Sequence, residues 1–395
     1  MSDSSELLSL PRGRSRFGDI FSRDFVLTCV ASVLFLGSGF LLIPTLPLYV
    51  EGFGASDALI GLMMGAFSAS AVGLRPWVGR QIEQHGSRSI MTLGAAIFMV
   101  GSLTYSWAGT VWFVLLIRLA QGAGLAAFMT ASRTLVAEVA PAGRTGEALG
   151  FYHVSRDFAF SIGPALGLAL LDKTGFTVLF LVSALVAGSG MITSGQLKGG
   201  QPLAQVEQRS VQWLNREAVF PALIMVSLSF TYGPVLSFIP VYADKGAIDS
   251  PSLFFTVYAL TALITRIVGG RVSDRFGRAW AIVPGLLAMA IGLVLIAYSS
   301  QTLGTVVSGL VYGFGFAAAF VGLMAYTVDR AGARGSAMAT FTAAYPLGIG
   351  VGSTVMGFVL EFTTFRVMTL LSALVVLSGL AAFLLVHPTP RPHIH

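Results

Sequence analysis

The chain has 395 residues, of which 55% are hydrophobic and only 11% are charged, whereas a soluble domain typically carries about 25% charged residues. A surface so poor in charge excludes a soluble globular protein and favours a protein embedded in lipid. The net charge of +6 fits positively charged loops on the cytoplasmic side of a membrane, and the basic patches typical of nucleic-acid binding are absent.

Apolar stretches long enough to cross a membrane follow one another along the chain, since a spanning helix needs about 20 apolar residues. The first stretch, 25–50, is too long for the core of a signal peptide, and no small-residue cleavage site closes it, so we interpret it as a retained membrane helix. Interruptions at charged and turn residues predict an all-α membrane protein of twelve transmembrane helices. The predicted spans are 25–50, 57–79, 90–107, 112–136, 147–171, 176–194, 219–243, 252–270, 281–298, 303–328, 336–360 and 366–386, with the shortest turns near Asp172 and Glu361.

Basic residues are unevenly divided between the two sets of loops. The tails and the loops after even-numbered spans hold sixteen lysines and arginines, whereas the opposite loops hold only Lys173, Lys245 and Arg366. The positive-inside rule therefore predicts a multi-pass protein of the plasma (inner) membrane with both termini in the cytoplasm.

The sequence contains an internal repeat. At a shift of 191 residues, the segment 75–86 aligns with 266–277, and 118–124 aligns with 309–315. Two equivalent halves are typical of secondary transporters, whose substrate site lies near the midplane between them. The predicted organisation is an N-terminal tail at 1–24, a six-helix bundle at 25–194, a cytoplasmic linker at 195–218, a second, pseudo-symmetric six-helix bundle at 219–386 and a C-terminal tail at 387–395.

The loop after the second span of each half carries a glycine- and charge-containing pattern. Its residues are Gly270, Asp274, Arg275, Gly277 and Arg278 in the second half, and Gly79, Glu83, Gly86 and Arg88 in the first. The second glycine permits a tight turn, and a carboxylate at a helix end can pair with arginine or with a neighbouring helix N-terminus. We interpret the two sets as a conformational latch; the alternative is a solvated loop whose charges only set the topology.

This pattern resembles that of the major facilitator superfamily, and the resemblance covers nearly the whole chain. In the fourth span, Arg118 with Gln121 and Gly122 is similar to the second motif of that family, a buried arginine followed by small residues. A charge inside an apolar span is costly, so Arg118 should face a cavity or a partner. The alternative is an arginine that extends to the membrane surface.

The fifth span carries two features of interest. Gly163, Pro164 and Gly167 resemble the motif of the proton-coupled efflux branches of the family, although Ala159 replaces its first glycine and Leu168 its last. The proline bends the helix and the small residues allow close packing on a neighbour. An ordinary glycine-rich packing face is the alternative.

The second feature is His153, Arg156 and Asp157, which share one helix face because they fall at i, i+3 and i+4. Asp157 is the only carboxylate that we place well inside the membrane, so it is the first candidate proton carrier. His153 titrates near neutrality and is the candidate relay, and Arg156 and Arg118 complete the predicted proton-coupling set. The alternatives are a static pair of Arg156 and Asp157, or a helix start displaced into the lipid headgroups.

The resemblance also implies that spans one, four, seven and ten line a central cavity. The predicted substrate-binding residues are Arg118, Gln121, Phe35, Phe40, Met129, Tyr232, Phe238, Tyr312, Phe316 and Phe320. Aromatic walls with few polar groups suit an amphipathic or apolar ligand, although most such rings simply pack helices together. Two inward arginines against one aspartate favour a neutral, zwitterionic or acidic substrate, such as an acidic metabolite or a metal-chelating small molecule.

The sequence therefore predicts a monomeric, non-enzymatic secondary transporter that exports a small organic molecule, a drug or a metabolite, in exchange for protons by alternating access. Its expected partners are that substrate, protons and the lipid bilayer, and no nucleic acid, cofactor or metal is expected. One cysteine cannot form an intramolecular disulfide or a metal site. The C-terminal tail contains three histidines, but we interpret it as a disordered proline-rich end and not as a metal site. The alternatives are an importer or facilitator on the same fold, a membrane enzyme that acts on lipids through His153 and Asp157, and a non-transporting sensor.

Overall fold

The computed structural model describes residues 20–141, 144–200, 215–243, 245–246, 248–330 and 334–386, without the side chains of Asp157 and Arg334. Most of the two predicted tails and of the linker therefore lies outside the described residues, as do the C-terminal histidines. Within the described ranges the regular structure is helical, with no strand. Helices suit lipid because their backbone groups are hydrogen-bonded within the segment.

Thirteen α-helices are found in the described ranges. They are α1 (Arg23–Leu42), α2 (Leu46–Glu51), α3 (Asp57–Gly73), α4 (Arg75–His85), α5 (Ser87–Thr104), α6 (Val111–Val139), α7 (Thr145–Gly195), α8 (Arg216–Ala243), α9 (Pro251–Phe276), α10 (Ala279–Tyr298), α11 (Thr302–Arg330), α12 (Arg334–Phe362) and α13 (Phe365–Val386).

Local sequence sets where several helices begin. The side chains of Ser22, Ser56, Thr110 and Ser250 each accept a hydrogen bond from a backbone N–H of the first turn, at the starts of α1, α3, α6 and α9. Such caps satisfy donors that the helix itself leaves without partners. Each of these four helices therefore begins where a hydroxyl residue precedes an apolar run.

The helices supply twelve membrane crossings. Ten are long and apolar enough to span a membrane when α1 and α2 count as one, and α3 with α4, bent by 47°, adds an eleventh. The twelfth comes from α7, because its 51 residues exceed the ~20 that one crossing needs. The predicted fold of twelve transmembrane helices is thus confirmed.

The gap of 172–175 predicted between spans five and six contains the observed break. Helix α7 continues through Asp172 and is interrupted at Gly175, whose φ of 79° and ψ of 177° are not helical. Glycine takes a positive φ without steric cost, so the break falls there and not at the charged residues before it. At the other short turn, predicted near Glu361, helix α12 continues through Glu361 and ends at Phe362.

The two halves meet through two pairs of helices that the repeat relates to each other. Helix α3 packs on α12, and the first part of α7 packs near α9. Under the repeat, α3 corresponds to α9 and the first part of α7 to α12. The same kind of contact is therefore made twice, with the roles of the halves exchanged.

Glycines allow α3 and α12 to approach at backbone distance. A methyl group added at Gly61 would collide with the carbonyl oxygen of Ser353, and one at Gly65 with the side chain of Thr354. Small residues are the usual means of close packing between membrane helices, where lipid provides no hydrophobic driving force.

Polar contacts close the bundle at the end where α2 stops and α3 begins, which we call the distal face; the N-terminal face is the end where α1 begins. Tyr242 donates a hydrogen bond to Asp57 over 2.6 Å, and the amide of Ala58 donates one to Glu361 over 2.8 Å. Lys245 forms an ion pair with Glu51 at 3.0 Å. All three contacts join one half to the other, so the structure is closed at the distal face.

Substitution of Gly61 by alanine is expected to push α3 and α12 apart where Gly61 meets Ser353. Overpacking costs about 1–3 kcal/mol, and each 1 kcal/mol shifts the Tm by about 2–4 °C in a protein of more than 150 residues. The Tm of the detergent-purified protein should therefore fall by about 2–12 °C. Gly73→Ala is the matched control on the same helix, because nothing lies within 4 Å of a methyl group there. An equal Tm for the two variants would contradict the proposed role of the Gly61 contact.

Candidate functional site

A central cavity separates the two halves on the side of the N-terminal face. It has two overlapping lobes of about 650 and 810 Å³, volumes that include space open to solvent. Both lobes are bordered by Leu36, Phe40, Arg133, Arg156, Thr342 and Tyr345. We call the lobe that contains Arg75 the N lobe and the lobe that contains Arg266 the C lobe.

Four arginines line this cavity: Arg75, Arg133, Arg156 and Arg266. No aspartate or glutamate belongs to the cavity wall among the side chains that the structure describes. Positive charges repel one another strongly in a medium of low dielectric constant, and an ion removed from water is costly unless it is paired. The described part of the cavity wall therefore carries a net positive charge.

The two arginines shared by both lobes are positioned by the helices around them. Arg133 on α6 donates a hydrogen bond of 3.0 Å to the hydroxyl of Thr342 on α12, across the two halves. Arg156 on α7 approaches Nδ1 of His153 at 3.1 Å, one turn earlier on the same helix. Each arginine keeps a buried Nε without a hydrogen-bond partner in the described structure, so each retains a donor for a ligand.

Aromatic rings form the rest of the C lobe. The guanidinium carbon of Arg266 lies 5.2 Å from the ring centre of Phe160 and 5.6 Å from that of Phe320. Phe316 stacks between these two rings, with centroids 5.9 Å from Phe160 and 6.2 Å from Phe320. Cation–π contacts hold the Arg266 side chain in place, and the rings offer an apolar surface to a ligand.

The predicted substrate-binding residues divide into two groups. Five of them line the cavity: Phe35, Phe40, Met129, Phe316 and Phe320. The other five, Arg118, Gln121, Tyr232, Phe238 and Tyr312, are buried in the packed helices outside the lining of either lobe. The role of the first group in binding stays a prediction, and the geometry does not favour direct contact for the second group in this state.

Arg118 lies one layer behind the wall of the N lobe. Its side chain is 0% exposed, which argues against an extension to the membrane surface. The guanidinium contacts the sulfur of Met64 at 3.7 Å and the ring of Phe67 at 4.9 Å, and both of these residues line the N lobe. Gln121 accepts hydrogen bonds from Arg118 at 3.5 Å and from Tyr105 at 2.8 Å. The arginine thus supports the cavity wall.

The predicted proton-coupling residues lie at the cavity in part. His153 borders the C lobe, and Arg156 borders both lobes. The side chain of Asp157 lies outside the described residues, although its backbone is part of α7. Its predicted role therefore stays a prediction.

The predicted latch residues connect helices within their own halves in this state. Arg278 donates hydrogen bonds to Asp329, over 2.6 Å, and to Asp274. Bonds to these two carboxylates raise the pKa of Arg278, so its charge is constant at all working pH values. Gly86 and Gly277 take φ values of 81° and 97°, which gives the tight turns expected of them.

The first-half set makes different contacts. Arg88 donates hydrogen bonds to the carbonyl of Gly195 through its side chain and, over 3.4 Å, to that of Gly200 through its backbone. Glu83 is exposed. Among the described residues, none of these contacts joins one six-helix bundle to the other. A latch between the bundles would have to form in another state.

The helix-five motif packs α7 against α1. A methyl group at Gly163 would collide with Phe40, and one at Gly167 with the backbone of Leu41. Pro164 lies inside the helix between these two contacts. The small residues therefore bring α7 close to the α1 side of the cavity, as their spacing predicts.

Three cavity arginines were absent from the predicted site: Arg75, Arg133 and Arg266. The repeat contained a signal for two of them, because Arg75 aligns with Arg266 at the shift of 191 residues. Both stand near the cytoplasmic ends of predicted spans, where an arginine is normally attributed to topology. Sequence position alone does not distinguish such an arginine from one that faces a cavity.

Comparison with known proteins finds a matching family and several similar transport proteins. A model described as Major Facilitator Superfamily matches residues 28–248 and 219–395. The staphylopine export protein of Staphylococcus aureus is 22% identical over 392 residues, which cover 94% of this chain and 97% of that protein. The multi-drug resistance efflux pump PmrA homolog of Lactococcus lactis is 28% identical, with 75% of this chain and 77% of that protein covered.

The fold is also found among solved structures. The crystal structure of the nucleoside transporter NupG matches with a TM-score of 0.70 at 16% identity, and the match covers 92% of this chain and 99% of that one. Identity this low establishes a shared fold and carries no information on the substrate.

Proposed function

The chain belongs to the major facilitator superfamily, and from that premise we propose that it is a secondary active exporter of a small organic anion. The observation that supports the anion is the cavity wall, which has four arginines and, among the described side chains, no carboxylate. Arginine binds carboxylate and phosphate groups through paired, charge-assisted hydrogen bonds. The aromatic rings of the C lobe would contact an apolar part of the same molecule.

The proposed orientation makes the N-terminal face cytoplasmic. The uneven distribution of lysine and arginine between the loops supports it. The cavity lies on the side of that face and the distal face is closed, which supports the proposal that substrate enters from the cytoplasm in this state. Rocking of one half against the other would open the distal contacts and release the substrate outside.

The direction of transport is proposed from two sources. Two relatives are named as an export protein and an efflux pump. The Gly163–Pro164 motif that packs α7 on α1 resembles that of the proton-coupled efflux branches. An importer or facilitator on the same fold is the second candidate, since a nucleoside transporter has this fold.

Proton coupling is proposed to involve Asp157 and His153. Both are within three residues of Arg156 on the helix that contributes it to both lobes, so a change of charge on either would alter the charge near the proposed anion site. In the closed-distal state, Nδ1 of His153 faces a guanidinium N–H of Arg156 over 3.1 Å. Since an arginine nitrogen can only donate, Nδ1 of His153 would be the acceptor of this bond.

The experiment that tests the function uses inside-out vesicles with an acid interior and a pH-sensitive dye. Organic monoacids and diacids, a zwitterionic amino acid and a cationic dye are added in turn. We expect the organic acids to dissipate the gradient and the cation to have no effect. Dissipation by the cation alone would contradict the anion assignment, and counterflow of an acid without any change of the gradient would favour the facilitator.

A further inference from the structure

The N lobe has a charged end towards the N-terminal face and an apolar end towards the distal face. Helix α3 begins at the distal face and leads through Met64 and Phe67 to Arg75, which opens α4 after the bend. Helix α6 also begins near the distal face, because it follows Ala108, whose carbonyl accepts a hydrogen bond of 3.1 Å from Tyr49 on α2. Depth in the lobe therefore increases towards the first residues of both helices.

The length of the lobe follows from helix geometry. On α6, Leu125, Met129 and Arg133 line the N lobe at intervals of four residues. A rise of about 1.5 Å per residue puts about 12 Å between Leu125 and Arg133 along the helix axis. On α1, Leu36 and Ile43 line the same lobe and are about 10 Å apart by the same rule. The lobe is therefore long enough for an extended chain.

The charged end has the donors that an acidic group needs. Arg75, Arg133 and Arg156 all line the N lobe. Arg133 and Arg156 each keep a buried Nε without a hydrogen-bond partner in the described structure. An ionised carboxylate accepts short, charge-assisted hydrogen bonds from guanidinium groups, so one acidic head group fits this end of the lobe.

The apolar end consists of the lining residues Ile43, Met64, Phe67, Ser68, Phe98 and Leu125, of which only Ser68 is polar. Arg118 lies behind Met64 and Phe67 and is 0% exposed, so it offers no donor at the surface of the lobe. Each methylene group buried here raises the affinity about 4-fold. A second ionised group would lose its water without gaining a partner.

We propose that the N lobe binds an acid with a single ionised head group and an extended apolar chain. The head group contacts Arg75, Arg133 and Arg156, and the chain extends along α6 past Met129 to Leu125. The C lobe lies on the other side of Arg133 and Arg156, which border both lobes, so its rings contact the part of the molecule next to the head group. This inference rests on the proposed function and specifies its substrate class, an amphiphilic monoacid.

The test measures binding of butanoate, octanoate and octanedioate to the purified full-length protein in detergent. Binding is followed by the shift of Tm, at free acid concentrations measured by equilibrium dialysis. Octanoate has four more methylene groups than butanoate to bury, so it should bind about 10- to 200-fold more tightly to the wild type. Octanedioate has the same length and a second carboxylate, so it should bind at least about 10-fold more weakly than octanoate.

Substitution of Leu125 tests the position of the chain. Leu125→Trp fills the apolar end and should weaken octanoate binding about 10-fold or more, while butanoate binds within about twofold of wild type. Butanoate binding thus also shows that the variant is folded. Leu119→Trp is the matched control, since Leu119 is on the same helix, is 37% exposed and lies outside the lining of both lobes. If Leu125→Trp does not fold, Leu125→Ala replaces it, and the affinity for decanoate should then rise relative to that for octanoate.

Substitution of Arg75 tests the head group. Arg75→Gln should weaken the binding of butanoate and octanoate by the same factor, about 10-fold or more, and leave the preference for the longer chain unchanged. Arg80→Gln is the matched control, because Arg80 is an exposed residue of the same helix outside the cavity lining. It should bind both acids as the wild type does.

Equal binding of butanoate and octanoate, or tighter binding of octanedioate than of octanoate, would overturn the inference and leave the proposed anion exporter intact. Equal effects of Leu125→Trp and Leu119→Trp would overturn it as well. So would a loss of the octanoate preference in Met324→Phe alone, since Met324 lines only the C lobe. Failure of every acid to bind at about 10 mM would contradict the proposed function itself, whereas the expected binding pattern without export would contradict only the exporter.

Discussion

Replacement of Arg156 by glutamine is expected to lower the rate of anion export about 100-fold at a substrate concentration below KM. Arg156 borders both lobes, and its buried Nε has no partner in the described structure. Truncation of one partner of a buried charge pair costs about 2–5 kcal/mol, and about 2.7 kcal/mol corresponds to 100-fold. The loss should appear for every acidic substrate, because this arginine faces both ends of the cavity.

The measurement is uptake of a labelled acid into inside-out vesicles, normalised to the amount of inserted protein. Lys173→Gln is the control, since Lys173 is an exposed cation on the same helix and lies outside the cavity lining. Arg156→Lys should retain part of the activity, because lysine keeps the charge but loses the paired geometry. A rate for Arg156→Gln within threefold of wild type, about 0.6 kcal/mol, would show that Arg156 does not contact the substrate.

Replacement of Asp157 by asparagine is expected to abolish export driven by a pH gradient while exchange of substrate continues. An amide of nearly the same shape cannot take up or release a proton, so the substrate could still cross in both directions but would no longer follow the proton gradient. Accumulation should fall to the level of simple equilibration. Counterflow of labelled substrate should remain within about threefold of wild type, equivalent to about 0.6 kcal/mol.

The membrane potential has to be held at zero in this experiment. Each elementary charge that crosses 100 mV gains about 2.3 kcal/mol, so a potential that is positive inside the vesicles would drive an anion into them without any proton. Valinomycin with equal potassium concentrations on both sides removes this contribution. Asp172→Asn is the control, since this exposed carboxylate is on the same helix, fifteen residues later. Gradient-driven accumulation by Asp157→Asn equal to wild type would exclude Asp157 as the proton carrier, and His153 would become the first candidate.

The two experiments separate substrate binding from energy coupling. Arg156→Gln should impair both gradient-driven transport and counterflow, whereas Asp157→Asn should impair only the first. The same defect in both variants would indicate that Arg156 and Asp157 work as a single ion pair. This pair would then have a structural role and would not carry protons. The neighbouring His153 would then carry no proton of its own.

The sequence alone determined the membrane class, the twelve crossings and the family. These properties depend on composition and on segment length, because lipid requires long apolar helices and tolerates few charges. The repeat and the loop pattern around Asp274 and Arg278 added the family resemblance, since they depend on local order in the chain. The gap predicted at 172–175 contains the observed break, and Gly175 forms it because glycine takes a positive φ without steric cost.

The tertiary structure decided which side chains face the cavity. In a membrane protein the surfaces that face lipid, a neighbouring helix and an apolar cavity have similar compositions, so periodicity does not separate them. For that reason Tyr232 and Tyr312, predicted at the cavity, lie in the packed interior, and Arg118 lies behind the wall formed by Met64 and Phe67. In the sequence, Arg75 and Arg266 lie near the ends of predicted spans, where arginines usually set the topology. Only the packing of the two halves brings both of them to one cavity.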